Sequence, residues 1–246
     1  MYLTTRALVL RATDYNDRDR LLTLLTPDHG KLTAKARGLR RKNSPLTAPC
    51  QLLAYGEYTL FEYRGMYTIN EASSIELFKG LHRDLIKFSL GSYFSQVAEF
   101  VSQEELPNPE LLSLTLNCLH ALDKLDLPPS MIKSVFELRC AAIAGFAPDL
   151  FGCHVCGSQA PSVLDLSGGT VLCEKCQHTA SGLRMPLDPA MLEAMRYIVY
   201  CDPKKLFGFT LSPEGLQRLS GCTEAYLTTQ LEHGFSTLDL YRSLLI

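Results

Sequence analysis

Several large function classes leave no mark on this sequence. In 246 residues there is no G-x4-G-K-[ST] phosphate loop, no G-x-S-x-G nucleophile elbow, no H-E-x-x-H and no G-x-G-x-x-G. P-loop nucleotide hydrolysis, α/β-hydrolase chemistry, zincin-type proteolysis and dinucleotide binding are therefore not expected. No apolar run approaches the roughly 18 residues of a membrane helix. The opening Met1-Tyr2-Leu3-Thr4-Thr5-Arg6 lacks the charged-then-apolar order of a secretory signal. The reading is a cytoplasmic protein with neither a membrane partner nor a small-molecule substrate. Low-complexity tracts, Gly/Ser linkers and fixed-period repeats are also missing, and 46% hydrophobic with 20% charged residues describes an ordinary globular chain of one or two domains.

The net charge of -2 conceals a division. Residues 1–80 carry 12 Lys and Arg against 8 Asp and Glu, whereas the remainder carries 12 against 18. A basic N-terminal part precedes an acidic one.

In the first part, β-branched and aromatic residues alternate with polar ones between closely spaced turn signals. Strands are predicted at Thr4–Thr13, Arg20–Pro27, Leu32–Arg37, Gln51–Arg64 and Met66–Leu77. Five short antiparallel strands in so few residues suggest an OB-type barrel. From about residue 79 the period becomes helical, with helices predicted over 80–104, 109–125, 130–144, 188–201, 213–232 and 236–245. Asn108-Pro109 and Asp188-Pro189 each set a capping side chain before a proline at the first helical position, and Gly145 is a natural stop for the third helix. The resulting fold class is multidomain α+β: an OB-fold barrel over 1–78, a helical domain in two parts over 79–149 and 183–246, and an inserted cysteine-bearing module over 150–182.

That module holds the most specific signal. Cys153-x2-Cys156 and Cys173-x2-Cys176 are separated by sixteen residues, the spacing of zinc ribbons and knuckles. Val163–Ser167 and Thr170–Cys173, joined by Gly168-Gly169, would form the hairpin that brings the pairs together. Four thiolates leave Zn2+ no open position, so the metal would be structural. A redox role would call for a βαβ surround, which is not evident. The zinc deaminases need a His-x-Glu and a Pro-Cys-x-x-Cys, and neither occurs. His154 and His178 flank the ligands and read as surface residues. Cys50, Cys118, Cys140, Cys201 and Cys222 stand singly in apolar contexts, as small core residues do in a reducing compartment.

Lys31, Lys35, Arg37, Arg40, Arg41 and Lys42 fall in a stretch of twelve residues without an acid. Lys31, Lys35 and Arg37 alternate along one strand and share a face, which the following loop extends. Such a run fits a solvated surface, or a track for nucleic-acid phosphates. Tyr55, Tyr58, Phe61, Tyr63 and Tyr67 on the next two strands favour the track, because rings on one face pack inside while rings on the other can stack on unpaired bases. Asp14, Asp17 and Asp19 form the one tight carboxylate group. They read as an ion-paired turn among Arg18 and Arg20, with a divalent-metal nuclease as the rival.

Taken together, Thr5 through Leu10, Tyr15 through Leu22, Thr26 through Arg41, and Gly145-Phe146-Ala147-Pro148 leading into Cys153-His154-Val155-Cys156-Gly157 resemble the RecO family of bacterial recombination mediators, almost end to end. The resemblance implies an OB-fold, a helical domain and a zinc module. It also implies a protein that is not an enzyme: one that binds single- and double-stranded DNA, anneals complementary strands, and works with RecR to load recombinase onto DNA coated by single-strand-binding protein, whose tail docks in the helical region. By position, Lys35, Arg37, Arg40 and Arg41 match the family's basic segment, and the four cysteines match its zinc ligands. Asp17 departs from the pattern, standing where the family commonly has glutamate. The rival readings are a zinc-containing protein-interaction scaffold and the metal-dependent nuclease.

Overall fold

A computed structural model of the chain describes residues 1–180 and 182–245; Ser181 and Ile246, which fall within the expected module and the expected last helical part, lie outside the described residues. The strands are β1 (Tyr2–Asp14), β2 (Arg20–Leu25), β3 (Lys31–Ala36), β4 (Tyr55–Tyr63), β5 (Met66–Glu76), β6 (Val163–Asp165), β7 (Thr170–Leu172) and β8 (Arg184–Pro186). The helices are α1 (Leu85–Val101), α2 (Pro109–Lys124), α3 (Pro129–Ile143), α4 (Pro189–Tyr200), α5 (Pro213–Gln230) and α6 (Ser236–Ser243). The chain divides into two compact units, one of residues 1–126 with 235–246 and one of residues 127–234.

The first unit contains the predicted barrel. Its strands close in the order β1-β2-β3-β5-β4, with β4 returning to β1. All pairs are antiparallel except β3 with β5, where Ala34 faces Tyr67 and Lys35 faces Thr68, the arrangement of an OB-fold. Alternation sends Ala7, Val9, Leu22, Leu24, Ala34, Tyr58 and Leu60 into a common interior. Leu8 and Leu10, which alternation turns outward, are buried as well, and α1 packs on β1. β4 starts at Tyr55 and not at Gln51: Leu53 takes φ +66° and its amide donates to the Val9 carbonyl, so residues 51–54 form a turn that precedes the pleat.

The helix expected from residue 80 is interrupted. Leu81–Arg83 form a single 3-10 turn, Asp84 resets the backbone to φ -129°, and its carboxylate then accepts the Lys87 amide at 3.1 Å to start α1. On α1 the buried residues Leu90, Tyr93, Phe94, Val97 and Ala98 make one stripe at helical spacing. α6 packs against α1, with the Thr237 amide and hydroxyl both donating to Gln96 Oε1, at 3.2 and 2.5 Å. Gly30 cannot carry a side chain: its φ is +60°, and a Cβ would stand 2.3 Å from the Leu106 carbonyl oxygen.

In the second unit α3 is buried over most of its circumference and packs on α4 and α5. The predicted caps are present. Asn108 accepts the Leu111 amide at 3.0 Å, and Asp188 the Met191 amide at 2.9 Å. Ser212 before Pro213 repeats the device, accepting the Gly215 amide at 3.1 Å. α3 ends before Gly145, whose φ of +93° suits a glycine stop. Among the described residues no helix is long and apolar enough to cross a membrane.

Candidate metal centre and candidate nucleic-acid interface

Each Cys-x2-Cys is a turn closed by backbone hydrogen bonds. The Gly157 amide donates to the Cys153 carbonyl at 2.8 Å, with Gly157 at φ +72°, a conformation glycine adopts without strain. The Cys176 and Gln177 amides both donate to the Cys173 carbonyl, at 3.0 and 2.9 Å. Val163 faces Leu172 across the β6–β7 hairpin, and β8 adds a third strand to β6. The His154 amide donates to the Val171 carbonyl at 2.9 Å, fastening the first turn to β7.

The four thiol sulfurs consequently lie within 4.8 Å of one another, and Cys156 Sγ is 3.7 Å from Cys173 Sγ. A tetrahedral zinc with sulfurs at about 2.3 Å requires sulfur pairs about 3.8 Å apart, so both donor set and spacing fit. All nine cysteines are free thiols. Backbone amides, that of Cys173 foremost, hold the Cys153 thiol down to about 6, while desolvation and the neighbouring thiols push Cys176 up. Among the described residues these four cysteines are the one cluster of three or more metal-ligating groups; His154 and His178 are exposed outside it. The single cysteines Cys50, Cys118, Cys140 and Cys222 are buried, and Cys201 is half-buried.

The basic stretch separates into two kinds of residue. Lys31 turns to the end of α1, its Nζ donating to the Glu99 carbonyl at 2.9 Å, one of the carbonyls a helix C-terminus leaves unbonded. Lys35, with a side chain 19% exposed, pairs with Asp19 at 3.0 Å and lies over the Tyr15 ring at 4.5 Å. Arg40 reaches Asp14 at 3.3 Å and the Asn16 carbonyl at 3.1 Å. Arg37, Arg41 and Lys42 are exposed, beyond the end of β3, and among the described residues their side chains hold no ion pair or hydrogen bond.

Asp14 and Asp19 are engaged by this arrangement. Asp14 also takes Arg20 Nε at 2.7 Å. Asp19 accepts the Gly38 amide at 2.8 Å and Asn16 Nδ2 at 3.0 Å besides Lys35. These donors, Gly38 first, hold its carboxyl down to about 2. Two of the three carboxylates of the nuclease rival are thus tied into the turn, and the trio forms no metal-ligating cluster.

Strand register settles the aromatic faces. Tyr58 is fully buried and its hydroxyl donates to the Pro49 carbonyl; Tyr67 packs on the barrel core. Phe61 and Tyr63 are exposed. Residues directly opposite in a sheet share a face. Tyr2 faces Phe61, Phe61 faces Thr68, and Thr68 faces Lys35, which makes one outward row from aromatic to basic side chains. The Tyr2 and Phe61 rings are 5.2 Å apart.

The model "Recombination protein O N terminal" matches residues 1–78, and "Recombination protein O C terminal" matches residues 82–239. A protein of Acetivibrio thermocellus named DNA repair protein RecO is 33% identical over 99% of this chain and 97% of its own length. Proteins of the same name from Caldanaerobacter subterraneus and Bacillus subtilis are 28% and 26% identical, over 97% and 92% of this chain and 96% and 88% of theirs.

Proposed function

Because this chain belongs to the RecO family, as both family models and the 33% identical relative show, we propose that it is a DNA repair protein that acts as a recombination mediator. It binds single- and double-stranded DNA, anneals complementary strands without nucleotide, and with RecR helps load recombinase onto DNA coated by single-strand-binding protein. The observation that carries the DNA site is the outward row Tyr2, Phe61, Thr68, Lys35, which leads to the exposed arginines at the end of β3.

On this reading the arginine side neutralises phosphates and releases their counterions, while Phe61 and Tyr63 offer faces to unpaired bases. Neutralising both strands removes the repulsion that keeps complementary single strands apart, so pairing then needs no chemical step. Lys31, Lys35, Arg37, Arg40, Arg41 and Lys42 constitute the DNA-binding segment. Lys31 and Lys35 contribute chiefly by holding it against α1 and the Asp19 turn. No residue is assigned a catalytic role.

Cys153, Cys156, Cys173 and Cys176 hold a structural zinc, supported by their donor chemistry and sulfur spacing. The metal, when bound, supplies cross-linking and no reaction, and the β6–β8 module serves as its frame. Roles divide accordingly among a DNA-binding barrel (1–78), a helical part (79–149 and 183–246) that receives protein partners, and the zinc module (150–182). The protein works in the cytoplasm, at the nucleoid when active.

The test is a titration of labelled single-stranded oligonucleotide over a salt series, comparing wild type with a folded Arg37→Ala/Arg40→Ala/Arg41→Ala variant. About five phosphate contacts give a log-log slope near -3.5, from about -0.7 per contact on single strands. The variant should lose most of the affinity and flatten the slope. Equal binding by both proteins would move the site off the barrel.

A further inference from the structure

The β1–β2 turn carries a cation outside the basic stretch. A polar cleft of about 570 Å³ opens between Asn16–Asp19 on one side and Arg37, Gly38 and Arg41 on the other. Arg18 lines the first wall, and Arg37 and Arg41 the second. All three are exposed, and among the described residues their side chains hold no ion pair or hydrogen bond.

The walls come from different loops, the β1–β2 turn and the segment after β3, and are pinned together. Besides the Asp19 bonds to Gly38 and Lys35, the Arg40 amide donates to the Arg18 carbonyl at 3.1 Å, and Arg40 Nη1 to the Asn16 carbonyl at 3.1 Å. The carboxylates able to neutralise the three guanidinium groups are mostly spent elsewhere: Asp19 on Lys35 and Asp14 on Arg20 and Arg40. Asp17 is the remaining acid in the cleft. Like-charged groups held around a preformed opening favour an anion that several of them can share, and a guanidinium's planar fork matches two oxygens of a phosphate.

We propose that Arg18, Arg37 and Arg41 form a two-walled clamp for a phosphodiester of the DNA backbone, so that the phosphate track leaves the β3–β4 segment and crosses onto the β1–β2 turn. The clamp rests on the DNA-binding reading given above and adds Arg18 to it as a binding residue. Asp17 opposes the ligand, and Asp19 acts only as a positioning residue.

The experiment uses the full chain and a labelled single-stranded oligonucleotide across a salt series, with Arg18→Ala, Arg18→Lys, Asp17→Asn and the triple arginine variant, each checked for folding by circular dichroism. Arg18→Ala should weaken binding about fivefold near 0.1 M salt and flatten the slope by about 0.7, the effect of one lost single-strand contact. Arg18→Lys should keep the slope, and Asp17→Asn should tighten binding. Wild-type affinity and slope in Arg18→Ala, with binding lost in the triple variant, would overturn the clamp and leave the DNA site standing. Failure of the wild type to bind would overturn both. Arg18-dependent binding of inorganic phosphate that leaves DNA affinity unchanged would assign the cleft to a free anion and overturn the DNA clamp.

Discussion

The Asp19 carboxylate accepts the Gly38 backbone amide at 2.8 Å, and this bond ties the β1–β2 turn to the segment that follows β3. Gly38 lies at φ +66°, so the chain reverses there, and Asp19 holds the reversal by a charge-assisted bond to an amide that no strand partner takes.

Asp19 therefore predicts an acid transition local to this turn. Its carboxyl is held down to about 2 from an ordinary 3.8. A lowered folded value means stability that is complete above about pH 4 and is lost as pH falls through about 2. A carbon-detected NMR titration should find Asp19 ionised at pH 3, and Asp19→Asn should remove that part of the acid response while loosening residues 37–42 in hydrogen exchange. An ordinary Asp19 titration would contradict the assigned bonds.

Phe61 and Tyr63 should matter for single strands more than for duplex. Base–ring stacking contributes about 1–3 kcal/mol per base. Phe61→Ala/Tyr63→Ala should thus lose at least about tenfold on single-stranded DNA in anisotropy titrations and little on duplex, where the bases are already stacked. Equal losses on both would point to a general surface effect.

Removal of one zinc ligand should release the metal and melt the module. One zinc per chain is expected by elemental analysis of wild type, and none in Cys173→Ser. In apo protein, amide exchange should rise across residues 150–180, and most helical circular dichroism should persist because the helices lie outside that module.

A buried ion network supplies a stability prediction. Lys133 on α3 is 2% exposed, with Nζ 2.9 Å from Glu137 and 2.7 Å from Glu224, while Thr223 Oγ1 donates to Glu137 at 2.7 Å. Burial pushes the Glu137 carboxyl up, and the Lys133 charge opposes that shift. Lys133→Met strands the carboxylate and should cost about 3–5 kcal/mol in urea unfolding; Lys133→Met/Glu137→Leu should recover much of it. A single variant as stable as wild type would show that Glu137 has no need of the ammonium group.

Features set by local chemistry were legible in the sequence. Alternation located all five barrel strands, Asn108 and Asp188 marked two helix starts, and the cysteine spacing anticipated four sulfurs within 4.8 Å. Features that depend on contacts between distant residues were not. Lys31 shares its periodicity with Lys35, yet its ammonium caps α1, because Glu99 lies nearby only once the chain has folded. Arg18 stands among acids that signal a neutral turn; Asp14 and Asp19 pair with other bases, and among the described residues the Arg18 side chain has no ion-pair partner. β8 has three residues, too few for any period to register. Asp84 looks like one more residue of a long helical pattern until its extended backbone divides it.

The return of α6 to α1 has a consequence for synthesis. The unit containing the barrel is assembled from residues 1–126 and 235–246, with Phe235 edge-on to both Tyr93 and Phe100. On the ribosome the intervening 127–234 unit emerges whole before the barrel's unit has its final piece. The barrel's unit is therefore completed only after the 127–234 unit has emerged, and until residue 235 leaves the exit tunnel the aromatic face of α1 lacks the ring that packs on Tyr93 and Phe100.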